Sequence, residues 1–185
     1  MSNTLRLKLI NYVAEKKASN TSGFTLVELI VVVVIIGILS AIAIPSFNNA
    51  SDKAKQKEAS TLLASYAKAA QAFYTENSLV ASTVSDLNGY ITVAACEADV
   101  AITECKDNQV AVSGDSTQWR SPTGMYNIQM TPTISQTGFT ATPTWNGYPV
   151  ASVFCTSTGS TILNEGSTKR DSNGAPRVPT CPTPQ

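Results

Sequence analysis

The chain has no histidine, only 14% charged residues, and as many basic as acidic side chains, 13 of each. Each shortage closes a class of function. Without histidine the usual general base is gone, and with it the common nucleophilic triads and the mixed Cys/His zinc sites. There is no G-x-S-x-G and no P-loop, and the cysteines form no C-x-x-C. A net charge of zero leaves no broad basic field for nucleic acid, and no nucleic-acid motif is evident. Carboxylates remain: Glu97, Asp99, Glu104 and Asp107 cluster in one stretch, and Asp171 to Gly174 read D-S-N-G. Neither group has the spacing of a calcium loop, so a solvated loop and a turn are expected. No catalytic residue, metal or cofactor is assigned, and the chain is read as a non-enzyme.

The charge cancels only in total. Arg6, Lys8, Lys16 and Lys17 against Glu15 leave residues 1–23 at +3, so the remainder carries −3. Then come 21 residues, Phe24 to Ile44, with a single charge, Glu28. As a helix they span about 31 Å, enough for the hydrocarbon core of a bilayer. The basic flank places residues 1–23 in the cytoplasm and sends the rest outward. A secretory signal fits poorly, because Pro45-Ser46-Phe47 rather than a small-residue cleavage site follows the apolar run. A carboxylate inside such a run is costly and marks a functional position whose partner must be found; the plainer reading is an acid snorkelling to the interface of a simple anchor.

Beyond the span, Ala59, Leu62, Leu63, Tyr66, Ala69, Ala70 and Phe73 recur at steps of three and four, predicting an amphipathic helix from about Ser46 to Glu76. Joined to the span it makes a rod of about 80 Å, more than a domain of this size needs, so half of it requires cover from lipid or from other chains. Gly37 and Pro45 weaken the helix between them. Lys53, Lys55 and Lys57 stand among Asp52 and Glu58, as a solvated helix face or as a contact for lipid phosphates. From Ser78 helical periodicity ends and 17 threonines follow. Four short strands are expected near residues 109–113, 125–131, 138–145 and 150–156, in one antiparallel sheet on the helix stripe. Residues 78–108 are expected to be a connecting loop, and the proline-rich tail to lie over the surface. The fold class is α+β.

One junction is more specific than any of this. The stretch "KKASNTSG" leads directly into "FTLVE", and the run Gly23, Phe24, Thr25, Leu26, Val27, Glu28, continued through Gly37 and Pro45, resembles the prepilin signal of type IV pilins and of the related type II secretion pseudopilins. The resemblance implies that a membrane peptidase removes residues 1–23 as a leader by cutting after Gly23, and N-methylates Phe24. It implies that the new Phe24 amine meets Glu28 of a neighbouring subunit, and that Gly37 and Pro45 are helix-loosening positions. Residues 24–77 become the long helix with its assembly segment 24–44, and 78–185 a β-rich head. The partners implied are identical or related pilin subunits, the prepilin peptidase and N-methyltransferase, the pilus assembly platform of the inner membrane, and membrane lipid before assembly. The implied location is the inner membrane, single-pass with a cytoplasmic N-terminus, and then an extracellular pilus.

Cys96, Cys105, Cys155 and Cys181 all fall on the exported side, where an even count favours disulfides with three possible pairings. Cys96 with Cys105 and Cys155 with Cys181 are the pairs chosen; the second ties the tail to the last strand, as the C-terminal disulfide region does in many type IV pilins. That region leans toward a pilin over a pseudopilin; a membrane-anchored binding domain is the third reading. The leader of 23 residues is longer than is usual for pilins whose mature chain begins with Phe.

Overall fold

The helical periodicity is realised as one unbroken helix, α1 (Leu26–Asn77), in the computed structural model, which describes residues 23–97, 101–166 and 177–182. The chain divides into two compact units at Ser46 and Phe47. The first unit contributes the apolar part of α1, where side chains from Phe24 to Ile44 are exposed almost throughout. Pro45 lies inside the helix, and an added Cβ at Gly37 would meet nothing within 4 Å.

The second unit has the α+β architecture that the composition predicts. From Phe47 onward α1 contains no glycine or proline and is rich in alanine, lysine and glutamine, all good helix formers. It stops where Ser78 adopts a left-handed φ of 54° and donates its N–H to the Tyr74 carbonyl at 2.8 Å. Its buried stripe is Ala59, Leu63, Tyr66, Ala67 and Ala70, flanked by the half-buried Leu62 and Phe73.

Against this stripe lies a five-stranded antiparallel sheet in the order β3 (Gln118–Arg120), β4 (Tyr126–Thr133), β5 (Gln136–Pro143), β6 (Val150–Cys155), β7 (Ser160–Glu165). Register puts Trp119, Ile128, Met130, Phe139, Ala141, Val150 and Phe154 on the helix side. Tyr66 fills the centre, with its ring 5.5 Å from Trp119 and 5.9 Å from Phe139.

The expected sheet differs from this one in three ways. Residues 109–111 do not join it: β2 (Gln109–Ala111) pairs with β1 (Ala94–Cys96) in a separate two-stranded sheet. Two strands of the main sheet, β3 and β7, went unpredicted. The stretch 78–108 is more than a connecting loop, holding a short helix α2 (Val84–Leu87), β1 and a 3-10 turn (Ile102–Glu104). Ala81, Val84, Leu87 and Val93 within it are fully buried and close one end of the core. Elements of three or four residues contain too few repeats for periodicity to register, and the six residues of β7 are mostly exposed, with Ile162 and Leu163 adjacent rather than alternating.

Polar side chains fasten the layers. Ser152 Oγ donates to the Leu63 carbonyl at 2.9 Å, and Thr137 Oγ1 to the Ala81 carbonyl at 2.8 Å. The buried Gln56 donates from Nε2 to the carbonyls of Pro149 (3.2 Å) and Gly166 (2.8 Å), clasping the start of β6 and the end of β7 to the helix. Gln56→Leu keeps the helix and most of the volume but leaves the Gly166 carbonyl without this donor. The variant should lose about 1–3 kcal/mol of stability in a reversible thermal or denaturant melt, whereas Lys68→Ala, on the exposed face, should change little. Equal stability of the two variants would remove the clasp as a fastening.

Candidate functional site

The residues singled out in the sequence fall into two places. Gly23, Phe24 and Glu28 stand at the start of α1; the cysteines belong to the second unit.

At the helix start, Thr25 occupies the N-cap position. Its Oγ1 accepts the Glu28 backbone N–H at 3.2 Å, while Glu28 Oε2 accepts the Thr25 backbone N–H at 3.0 Å and the Thr25 hydroxyl at 2.8 Å. This is a reciprocal capping box, in which two of the donors that a helix N-terminus leaves unpaired are satisfied. Its signature, a threonine followed three residues later by glutamate before an apolar run, is present in the sequence but was passed over there. Glu28 therefore has polar partners inside its own chain. Neutral donors satisfy its hydrogen bonding without cancelling its charge, and the positive end of the helix dipole offsets that charge only in part. The described contacts of the carboxylate all fall on Oε2, and Oε1 makes none among the described residues.

Gly23 and Phe24 precede the cap in non-helical backbone and are both exposed, Phe24 at 88%. A Cβ added at Gly23 would meet nothing within 4 Å. The same is true at Gly37, where the ~0.5–1 kcal/mol a glycine costs relative to alanine is offset by no close packing within the described chain.

The cysteines lie as two pairs, Cys96 with Cys105 and Cys155 with Cys181, with Cα atoms 5.0 and 5.6 Å apart. The first pair ties the 3-10 turn to β1. The second ties the tail segment Arg177–Pro182 to the end of β6, helped by Ser157 Oγ donating to the Pro182 carbonyl at 3.1 Å. The tail crosses the sheet face opposite the helix so closely that a Cβ on Gly138 would lie 2.7 Å from Val178 Cγ1. Glycine is needed there for approach, not for turning.

The remaining charged candidates are engaged elsewhere or lie apart. Lys57 Nζ pairs with Glu165 at 2.7 Å, and Lys55 lies 3.8 Å from Asp52 and 4.9 Å over the Trp145 ring; Lys53 is 6.0 Å from the Tyr148 ring centre. The lysine row is thus woven into the head rather than projecting as a common patch. The Lys57 ammonium and the Ser60 hydroxyl hold the Glu165 carboxyl below its usual pKa against a smaller opposing effect of burial. Of the carboxylates near the first cysteine pair, Asp99 lies outside the described residues, as does the stretch 171–174. Among the described residues no three metal-ligating side chains converge.

Residues 18–44 match the prokaryotic N-terminal methylation motif. The chain is 36% identical over 101 residues to the type IV major pilin protein PilA of Myxococcus xanthus, covering 50% of this chain and 46% of that protein. It is 35% identical over 77 residues to the type II secretion system core protein G of Vibrio cholerae, 42% of this chain and 53% of that one. A third stretch of 34 residues is 62% identical to the type IV narrow pilus major component PilA5 of Thermus thermophilus, 18% of this chain and 29% of that protein. The first two alignments each span about half of the relative's length. No solved structure gives a significant match.

Two outcomes test the geometry. Thr25→Val removes the hydroxyl of the cap, worth about 0.5–2 kcal/mol to a helix start, while Thr25→Ser retains it. Amide exchange of Glu28 in micelle-bound protein should quicken by roughly two- to thirtyfold in the Val variant and stay near native in Ser; equal rates in all three would mean the box is not holding the turn. Cys181→Ser should release the tail and lower stability by about 2–4 kcal/mol, with Cys155 becoming thiol-reactive. Retained stability would show that the tail is held by its other contacts.

Proposed function

We propose that this chain is the structural subunit of a type IV pilus, made as a precursor, held in the inner membrane and then polymerised through α1. What carries the reading is the joint placement of the exposed Gly23-Phe24 junction, the capped Glu28 behind it and a helix segment whose apolar side chains find no cover in their own chain, within residues that match the methylation motif.

Each step follows from a physical property of the chain. The basic residues before Gly23 stay in the cytoplasm by the positive-inside rule, and the helix is long and apolar enough to cross a bilayer. The peptidase acts at Gly23, where a non-helical and exposed backbone gives access, and methylates the Phe24 amine it creates. That amine, protonated near neutral pH, lies close along the chain to its own helix cap. In a polymer it meets the Glu28 carboxylate of a neighbour through the oxygen the cap leaves open. Pairing an amine with an acid in an apolar medium is tolerated where either alone is not, so the contact fixes axial register among helices that would otherwise slide. Gly37 and Pro45 supply the points where α1 yields on packing. The partners are other pilin subunits, the peptidase, the assembly platform and, before assembly, lipid.

A short secretion filament is the second reading, favoured by the likeness to the type II secretion core protein. Sheared surface material separates the two. A pilus subunit should dominate long fibres, with a mass starting at methylated Phe24, whereas a secretion subunit should be found in the membrane fraction.

Charge and cap can be tested apart at one position. Glu28→Gln keeps an acceptor for Thr25 and loses the charge; Glu28→Leu loses both. If the charge pairs with a neighbour's amine, both variants should be inserted and processed yet give few or no fibres, since an unpaired buried charge costs about 3–5 kcal/mol at each added subunit. Fibre counts beside immunoblots of processed protein provide the readout. Normal fibre numbers in Glu28→Gln would leave the cap as the whole role of Glu28.

A further inference from the structure

The sheet face opposite α1 is closed on one side and open on the other. Ala151, Val153 and Cys155 of β6 point to this face yet are fully buried, and Gly138 of β5 lies beneath Val178 of the tail. Toward β3 the cover by described residues ends. A groove of about 640 Å³ begins there, floored by the outer faces of β3, β4 and β5 and walled by the β1–β2 sheet. Its volume lies within the range of small-ligand sites.

The floor is built of matched polar rows. Register aligns Gln118 and Gln129 in one row, extended by Thr140 just outside the groove lining, and Arg120, Asn127 and Thr142 in the next row. Strands about 4.8 Å apart, with same-face residues about 6.8 Å apart along them, turn these rows into a two-by-three grid of hydrogen-bonding side chains. Gln118, Asn127 and Gln129 are exposed, and among the described residues their amide groups have no intramolecular partner. Arg120 is partly held, its Nη1 donating to the Glu97 carbonyl at 3.4 Å. The wall is fixed as well. Cys96 is bonded to Cys105 and its N–H donates to the Ser121 carbonyl at 3.3 Å, while Val110 offers an apolar surface, 46% exposed, at the groove's side.

We propose that this groove binds a neutral oligosaccharide. Amide side chains each present a donor and an acceptor, and threonine hydroxyls present both. Such a grid answers the alternating donors and acceptors of sugar hydroxyls, and the Val110 wall answers the apolar face of a pyranose ring. Other ligand classes fit less well. A nucleic acid needs several cations, and Arg120 is the one basic side chain lining the groove. Among the described lining residues a cation would find Glu97 alone as a charged acceptor. All of its described lining residues belong to the second unit.

The test uses the full processed chain in phosphocholine micelles, labelled with 15N, with the side-chain amide signals of Gln118, Asn127 and Gln129 followed by NMR. Maltohexaose, cellohexaose and chitohexaose are titrated separately. At least one should shift these signals saturably, with a midpoint near or below about 1 mM. The double variant Asn127→Ala/Gln129→Ala, at two solvent-facing positions, should keep the native melting curve and weaken that binding roughly tenfold or more. Three outcomes overturn the proposal: no saturable shift with any of the three sugars, undiminished binding in the double variant, or an equal response to an uncharged peptide of serine and asparagine of the same length. The last would make the groove a peptide site.

Discussion

Between Phe24 and Ile44 the apolar side chains stay exposed almost throughout among the described residues, from 47% at Val31 to 88% at Phe24, and this constraint governs the rest of the molecule. At roughly 25 cal/mol for each Å² withdrawn from water, a helix of this kind is driven into lipid or against other chains. A helix end in such a medium must satisfy its own backbone donors, because no water is there to do it. The Thr25–Glu28 box meets that requirement with a carboxylate, and so brings a charge to the apolar segment. The hydrogen-bonding need and the charge are separate quantities. The first is met inside the chain, and the second is what makes Glu28 suited to an external partner.

From Phe47 the same helix meets different conditions. Its alanine-rich stripe lets the sheet approach closely, and Tyr66 supplies the one large side chain at the centre of the contact. Buried polar groups on this interface are spent on backbone carbonyls: Gln56 on Pro149 and Gly166, Ser152 on Leu63, Thr137 on Ala81. Such bonds add modest net stability but are costly to break, so they specify which strand lies where more than they hold the layers together. The opposite face of the sheet is partitioned along β5. Gly138 is covered by the tail, while Thr142 lines the open groove, and a single strand thus serves a sealed region and an accessible one.

Charged residues that look alike in the sequence separate once their partners are known. Lys55 and Lys57 differ by two positions, yet one lies over the Trp145 ring and the other meets Glu165, 108 residues away. Glu28 and Glu165 are both acids facing a basic or polar neighbour, but one partner is three residues away and the other across the fold. Composition reports neither distance. The half-exposed Lys57–Glu165 pair contributes little stability by itself, and its value is in fixing the position of β7 beside the helix.

What the sequence determined by itself was what has its physical cause within a few residues: the long helix from its spacing, the apolar span from its composition, and the box at Thr25 and Glu28, visible in the letters although unused. β4 and β5 were legible from alternation over eight residues and β6 as a run buried on both faces, whereas β7, as long as β6, is an exposed strand whose apolar Ile162 and Leu163 stand side by side and give no alternation. Only the tertiary structure decided the rest. It sent 109–111 to β1 instead of the main sheet, made β3 and β7 into strands, folded the stretch 78–108 into the core, and aligned Gln118, Gln129 and Thr140 into one row. A strand of three residues has almost no period of its own, and its pairing is selected by surfaces that exist only after distant segments have met.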